Sequence, residues 1–424
     1  MQDFIQFRDP IHGFIDVSEN ERKIIDSKPL QRLRNIKQLA TTYLVYHGAE
    51  HTRFGHSLGV MHLASRAFDV VIQKNPDLFE DSKKAYYRQI LRLMGLCHDL
   101  GHPPFSHTGE ELFKDGKAHE GMTREILMNS EIADHIHAIG KESIKNNGAD
   151  YTITPELIWT IYSGKGVANK DYAMPDFRFL KSFMDGYLDC DKMDYLLRDS
   201  YYCGAEYGKY DLDRLVSSLN VTKDGTNLAL ALDMSGVHAA EEFVLARYFM
   251  FAQVYFHKTR RYLDQKLIAC LRDILPDGFP DSYKEYLEWD DNRVLQLIQA
   301  KEQDSIHARI FLNREVLACF YEMDIHDGGS GVVLFNKHKR DIERKLKNNG
   351  IDLDLDFFVD ECEKTIYKIP EDTITIPVIK KYQKDPASID DISLILRSFN
   401  GNPIKLKRIY VNKKHKDLIS DIIE

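Results

Sequence analysis

The chain has 424 residues, 43% of them hydrophobic and 29% charged, which suffices for a large core and predicts two domains. No apolar run approaches the roughly 18 residues of a membrane span, and "MQDFIQFRDP" lacks the charged start and apolar stretch of a signal peptide, so a cytoplasmic protein is expected. A formal net charge of −9 argues against general nucleic-acid affinity, and six scattered cysteines without C-x-x-C spacing read as reduced thiols, Cys97 as a small core residue.

In chain order, "FIQFRDPIHGFIDVS" predicts two short strands around a turn at Asp9-Pro10 and Gly13. Ser18 and Glu21 stand at capping-box spacing, so a helix starts there. "SLGVMHLASRAFDVVI", from Ser57, has apolar residues at helical spacing, and "AYYRQILRLMGLC" leads into His98. "EGMTREILMN", "FLKSFMDGYLDCDKMDYLLRDS" and "AAEEFVLARYFMFAQVYFHKTRRYLDQKLIACLRDIL" are further helices, the last long enough to bend or break. "LALALDM" reads as a strand. The Pro/Gly/Asp-rich stretch "LPDGFPDS" (275–282) is the expected domain boundary. Beyond it come more helices and the strand-like "TITIPVI" and "IKLKRIYV". The expectation is a mainly α protein with small β elements, a core domain over 1–275 and a smaller α+β domain over 283–424.

"LMGLCHDLGHPPFSH" (93–107) ends an apolar run in His98-Asp99, then adds His102 and His107. Upstream, "HTRFGHSLGVMHLA" carries His51, Arg53 and His56; downstream, "DGYLDCDKMDYLLRD" carries Asp191. His56, His98, Asp99 and Asp191 form an H…HD…D set. Two imidazoles and two carboxylates suit a divalent cation, and four protein ligands leave positions for water and substrate. The alternative is a capped helix start and a chance His-Asp pair. The conjunction favours the metal, because each candidate lies in or beside an apolar helix, and a buried carboxylate needs a partner. Lys192, Tyr195 and Asp199 fall at i, i+3 and i+7 on one helix face, with Asp191 about 100° away. That face is either a cation, a hydroxyl and a carboxylate aimed at one cleft or a solvated stripe with ion pairs.

These motifs resemble the HD-domain metal-dependent phosphohydrolases. Within them the chain is most similar to the SAM-and-HD-domain-containing dNTP triphosphohydrolases and their bacterial relatives, with no SAM domain expected before the match. "RDPIHGFIDV", "IIDSKPLQRLRNIKQL", "GAEHTRFGHSLGV", "GLCHDLGHPPFSH", "AHEG" and "DCDKMDYLLRD" carry the likeness, over roughly residues 8 to 265. It implies an HD-domain helical core and one divalent ion per subunit (Mn, Fe, Co, Ni, Zn or Mg) held by His56, His98, Asp99 and Asp191. It further implies that His119, with Glu120 beside it, acts near the α-phosphate, and that Arg53, His102, His107, Lys192 and Tyr195 contact triphosphate or line the site. Gln38, Leu39 and Asp199 match contacts to the deoxyribose. Tyr262 is the nearest candidate for a tyrosine that excludes a 2′-hydroxyl, and Gln253 stands where a phosphate-holding arginine is expected. Asp26, Gln31 and Arg34 match residues that bind a guanine nucleotide between subunits, so a homo-oligomer, dimer or tetramer, is expected. The alternative there is an ion pair of Asp26 with a nearby arginine. Ile5 and Asn220 depart from the family's basic residues at that regulatory site.

The expected activity is hydrolysis of deoxynucleoside triphosphates to deoxynucleoside and tripolyphosphate. The alternatives are HD chemistry on another nucleotide (nucleotidase, phosphodiesterase or nuclease) and a catalytically weak nucleotide sensor. The basic run "IKLKRIYVNKKHK" (404–416) is read as a solvated edge strand rather than a nucleic-acid contact.

Overall fold

An antiparallel hairpin, β1 (Ile5–Asp9) and β2 (Gly13–Val17), opens the described chain. The Asp9 carboxylate closes its turn by accepting the N–H groups of Ile11 and His12 at 2.9 and 3.0 Å. The structure is a computed structural model describing residues 5–114, 118–148, 150–164, 175–225, 227–323, 329–367, 376–383, 385–399 and 401–423.

Helix α1 (Glu19–Ile25) begins with the full capping box, Ser18 accepting from the Glu21 amide and Glu21 from the Ser18 amide. After α2 (Lys28–Arg32), the long helices α3 (Arg53–Lys74) and α4 (Asp81–Cys97) pack face to face. Gly95 sets their approach, because a Cβ there would lie 2.8 Å from the Met61 backbone nitrogen. Then come α5 (His119–Asn129), α6 (Glu131–Asn147), α7 (Pro155–Ser163) and α8 (Pro175–Ser182).

The predicted single helix over "FLKSFMDGYLDCDKMDYLLRDS" is two. Helix α8 stops at Ser182 and α9 runs Cys190–Cys203. Asp189 makes the break, its carboxylate accepting the Lys192 amide as N-cap (2.8 Å) and the Gly186 amide within the turn (3.0 Å). Helix α9 lies against α3, where Gly59 leaves room for it: a Cβ would meet an Asp194 oxygen at 1.9 Å.

Helix α10 (Leu212–Ser217) leads to β3 (Leu219–Asp224) and β4 (Asn227–Asp233), which includes the predicted "LALALD". The following long apolar segment breaks as its length suggested: α11 (Val237–Met250), a π-helical turn over Phe251–Tyr255, then α12 (Lys258–Ile274). Next come α13 (Tyr283–Tyr286), α14 (Asp291–Ala300) and α15 (Ile306–Leu312).

The stretch 275–282 turns the chain but does not part the hydrophobic core. The Phe279 amide bonds Leu112 O at 3.1 Å, and one apolar cluster runs from Ile15 through Phe68, Leu93 and Phe243 to Ile298, Ile389 and Leu406. Strand β4 pairs in parallel with β7 (Pro377–Ile379), which pairs with the short β8 (Ala387–Ser388), so chain from beyond the turn completes a sheet begun before it. Of "TITIPVI", residues 373–375 lie outside the described residues.

A second sheet orders β5 (Ala318–Met323), β9 (Ile404–Val411) and β6 (Phe357–Lys364), backed by α16 (Gly329–Asn348). The expectation of a solvated edge strand at 404–411 is therefore corrected: β9 is central. Its basic residues face acidic ones on both neighbours, Lys405 against Glu363 (3.4 Å), Lys407 against Glu361 and Arg408 against Glu322 (3.1 Å). Among the described residues no helix is long and apolar enough to cross a membrane.

Candidate active site

Three helix ends deliver the H…HD…D set to one point. His56 lies in the first turn of α3, His98 and Asp99 follow the last residue of α4, and Asp191 lies in the first turn of α9. His56 Nε2 is 2.9 Å from Asp191 Oδ1, 3.3 Å from His98 Nε2 and 3.8 Å from Asp99 Oδ2. His98 Nε2 is 3.3 Å from Asp99 Oδ1 and 3.8 Å from Asp191 Oδ1.

Each imidazole uses its other nitrogen to fix this orientation. His56 Nδ1 donates to Asp194 Oδ2 at 2.8 Å and His98 Nδ1 to Gly95 O at 2.8 Å, so both Nε2 atoms face the shared point. Burial opposes protonation of His56, but hydrogen bonds to Asp191 and Asp194 and the charge of Asp99 outweigh it and push its pKa up to about 10. Burial raises Asp99, yet Arg53, His98 and His102 hold it well below the usual carboxylate range. The surroundings thus demand positive charge at this point: His56, His98 and Asp99 lie close enough together to hold a divalent ion, and Asp191 adjoins them through the two histidines.

Asp194 went unnoticed in the sequence. It is fully buried and accepts from His56, from His12 (2.7 Å) and from Arg198, which also reaches Asp9 at 2.9 Å. Its local signal was the i, i+4 spacing to Arg198; the partners His12 and Asp9 lie about 180 residues away, beyond any spacing rule.

A second group adjoins the first. His102 Nε2 lies 3.4 Å from Asp99 Oδ1, and its ring stacks on His119 with centroids 3.9 Å apart at 14°. His119 Nδ1 hydrogen-bonds Glu110 Oε1, and His107 Nδ1 reaches Glu110 Oε2 at 3.1 Å. Burial raises Glu110, but these two imidazoles more than offset it and leave it well below the usual range. Burial, with Arg53 and His119, keeps His102 neutral at ordinary pH. Glu110 was not singled out beforehand, although it stands three residues after His107 in the helical turn Ser106–Leu112. Glu120 is exposed, on the first turn of α5.

Arg53 lines this group and is 3% exposed, donating to Asp99 Oδ2 (2.6 Å) and Ser106 Oγ (2.8 Å). Lys192 donates to Asp189 and to Gly186 O (3.2 Å). Further along α9, Asp199 receives His51 Nε2 at 2.7 Å and Tyr255 OH at 2.6 Å, and the Tyr255 ring meets Tyr195 edge-on at 6.3 Å. Leu39 is buried beside Gln38, whose amide oxygen is buried without a hydrogen-bond partner among the described residues.

Tyr262 is corrected. It is fully buried in a separate cluster with Leu263, Ile310 and Tyr410, and the tyrosine beside Asp199 is Tyr255. The resemblance placed that candidate, across a segment that a π-helical turn interrupts between α11 and α12. Gln253, by contrast, is exposed, its backbone carbonyl taking Tyr46 OH at 2.9 Å. Two arginines lie near: Arg260 donates to Tyr255 O, and Arg247 on α11 donates to Ile366 O, stands over the Phe251 ring at 5.7 Å and acts electrostatically on Tyr195.

Asp26, Gln31 and Arg34 have partners within the chain. Asp26 pairs with Arg22 at 3.5 Å, Gln31 donates to Ile25 O at 2.7 Å, and Arg34 donates to Gln31 at 2.8 Å while lying 3.6 Å over the Phe54 ring. A cavity of about 730 Å³ near the start of α4, lined by Phe79, Tyr86, Tyr87 and Tyr151, contains none of the site residues.

Residues 53–171 match the HD domain and residues 210–400 match the HD associated region. The uncharacterised protein YwfO of Bacillus subtilis is 31% identical over 334 residues, covering 73% of this chain and 70% of that protein. The deoxynucleoside triphosphate triphosphohydrolase SAMHD1 of Danio rerio is 33% identical over 224 residues, 50% of this chain and 35% of that protein. A phosphohydrolase of Bacteroides thetaiotaomicron has a solved structure that superposes with a TM-score of 0.71 at 25% identity, covering 97% of this chain and all of that one. With an HD domain and its associated region both matched, and a relative of 31% identity covered over 70% of its length, the chain belongs to the HD-domain phosphohydrolase family.

Proposed function

We propose that the protein hydrolyses deoxynucleoside triphosphates to deoxynucleoside and tripolyphosphate. The observation that carries this reading is the contact between the two groups: Asp99 of the H…HD…D set lies 3.4 Å from His102, which stacks on the His119–Glu110 pair. A site for a divalent ion and an oriented acid–base imidazole therefore share one edge.

Bound by the four ligands, a divalent ion supplies Lewis acidity toward a phosphate oxygen. Water then forms a bond to the α-phosphorus as the bond to O5′ breaks, and the tripolyphosphate keeps the oxygen from water. O5′ needs a proton. His119 presents Nε2 for that transfer, because Glu110 occupies its Nδ1 and fixes the ring. Neutral His102 packs that ring in place without adding a second positive charge. Arg53 and Lys192 offset the negative charge of the phosphates, Arg53 through a planar guanidinium and Lys192 as a point charge.

The deoxy preference draws support from Asp199, Tyr255 and Gln38. A carboxylate, a buried tyrosine bonded to it and an unpartnered amide oxygen are groups suited to recognising a sugar hydroxyl. The likeness to the Danio rerio triphosphohydrolase points the same way. The assembly part of the reading, a homo-oligomer with a nucleotide between subunits at Asp26, Gln31 and Arg34, rests on the resemblance and is tested by sedimentation with and without dGTP. The substrate reading is tested with dATP and ATP under identical metal and pH: dATP hydrolysis should be well above ATP hydrolysis. Equal rates would remove the deoxy claim and promote a general nucleotide phosphohydrolase.

A further inference from the structure

The loop that joins the two groups of the site is held from outside the HD segment. Phe105 and Ser106 both have left-handed backbones, with φ of 57° and 53°, a conformation that a bulky residue adopts only when its surroundings impose it. The Phe105 amide donates to Asp291 Oδ1 at 2.7 Å, and the other oxygen of that carboxylate accepts the Lys37 amide at 2.9 Å. Asp291 lies in the first turn of α14, beyond residues 53–171 of the HD match, and is 2% exposed.

Through those two amides Asp291 ties together both walls of the site. Ser106 Oγ donates to Lys37 O at 2.6 Å and accepts from Arg53 Nε at 2.8 Å, and Arg53 continues to Asp99. Neighbouring contacts hold the same loop: Tyr286 OH donates to Gly101 O at 2.7 Å, and Arg32 bridges His102 O (2.9 Å) and Trp289 O (2.7 Å). No salt bridge to Asp291 occurs among the described residues, and burial pushes its carboxyl up to about 7. A buried carboxylate with no cation in direct contact, acted on only at longer range by Lys37 and Arg32, is a poor stabiliser; one that receives two amides from two functional loops is suited to hold position.

We infer that Asp291 is a positioning residue for catalysis: it holds the Lys37–Gln38 and His102–Ser106 segments at the spacing that places Arg53, Asp99 and His102. The inference rests on the hydrolase reading above, but its test does not depend on which phosphate ester is the substrate. Asp291→Asn keeps the volume and one acceptor oxygen, and turns an NH2 group against the second amide. In metal-loaded protein kcat should fall about ten- to a hundredfold, as small misplacements in active sites do, with KM changed far less. Backbone exchange at Phe105 or Lys37 should accelerate at least about tenfold. Ile342→Ala, in the separate core of the C-terminal sheet, is the matched control: it should lower Tm without changing kcat or those two exchange rates. An Asp291→Asn protein with unchanged exchange and kcat within about twofold of wild type overturns the inference. If that variant does not fold, wild-type exchange decides: protection of both amides comparable to the α3 core supports it, and exchange at exposed-loop rates overturns it. Failure of the wild type on every dNTP sinks the substrate reading alone, because exchange needs no substrate and kcat can be read on whichever phosphate ester is cleaved.

Discussion

Around His56 buried carboxylates outnumber the fixed cations, whereas around Arg408 the two are matched. In the first region the buried Asp9, Asp99 and Asp194, with the partly exposed Asp191 beside them, face Arg53 and Arg198 among the described residues, and the imidazoles supply what protonation they can. In the second, Asp360 lies between Arg261 (2.7 Å) and Arg408 (3.7 Å), and Arg408 also pairs with Glu322. Both regions bury charge, but only the first leaves a deficit centred on one point. A closed network like the second adds specificity of packing; a deficit like the first calls for a cation from outside.

The largest expected effect comes from removing two of the proposed ligands at the deficit. His98→Ala combined with Asp99→Ala should abolish metal retention and hydrolysis together while most of the fold survives, because Leu96, Leu100 and the rest of the apolar packing remain. Metal analysis and product assay check this, and a double variant with full metal content would remove the ligand assignment. Next in size is Asp194→Asn, which weakens the acceptor that orients His56. Metal affinity, read by chelator competition, should drop roughly ten- to a hundredfold without being lost.

The matched region should respond in the opposite way. Asp360→Ala strips Arg261 and Arg408 of a shared buried partner and should cost about 3–5 kcal/mol of stability in denaturant unfolding, with metal stoichiometry unchanged. A loss of bound metal there would blur the contrast between the regions.

The smallest effect is a pH slope at His62, outside both networks. Burial, with His12, Arg66 and Arg92, lowers its pKa from 6.5 to about 4. Between those values the unfolded chain takes up a proton that the folded protein refuses, so its stabilising contribution is complete above pH 6.5 and is lost as pH falls toward 4. His62→Gln should therefore lose less Tm than wild type on acidification across that window. An identical slope in the two proteins would contradict the assignment.

Much of this contrast can be read in the linear chain, and the missing part has physical reasons. The four metal-ligand candidates are legible because polar residues interrupt apolar helices just where those helices end. The capping box at Ser18 and the hairpin at Asp9 are legible because their causes are local. Asp194 is hidden because its meaning comes from His12 and Asp9, far off in sequence. The α8–α9 break is hidden because Asp189 caps a helix inside a stretch whose apolar period barely changes. Tyr255 is hidden because it lies in a π-helical turn inside one long apolar segment, which no 3.6-residue count anticipates. Strand β9 looks like an edge because its lysines suggest solvent; the acidic residues that make it central lie on β5 and β6, more than forty residues away.

The most direct test of the central claim follows one oxygen atom. Metal-loaded protein is incubated with dATP in ¹⁸O-water, and the products are separated and weighed. Attack on the α-phosphorus with O5′ leaving predicts intact tripolyphosphate carrying the label and unlabelled deoxyadenosine. Labelled deoxyadenosine monophosphate with pyrophosphate, or stepwise release of inorganic phosphate, would contradict it.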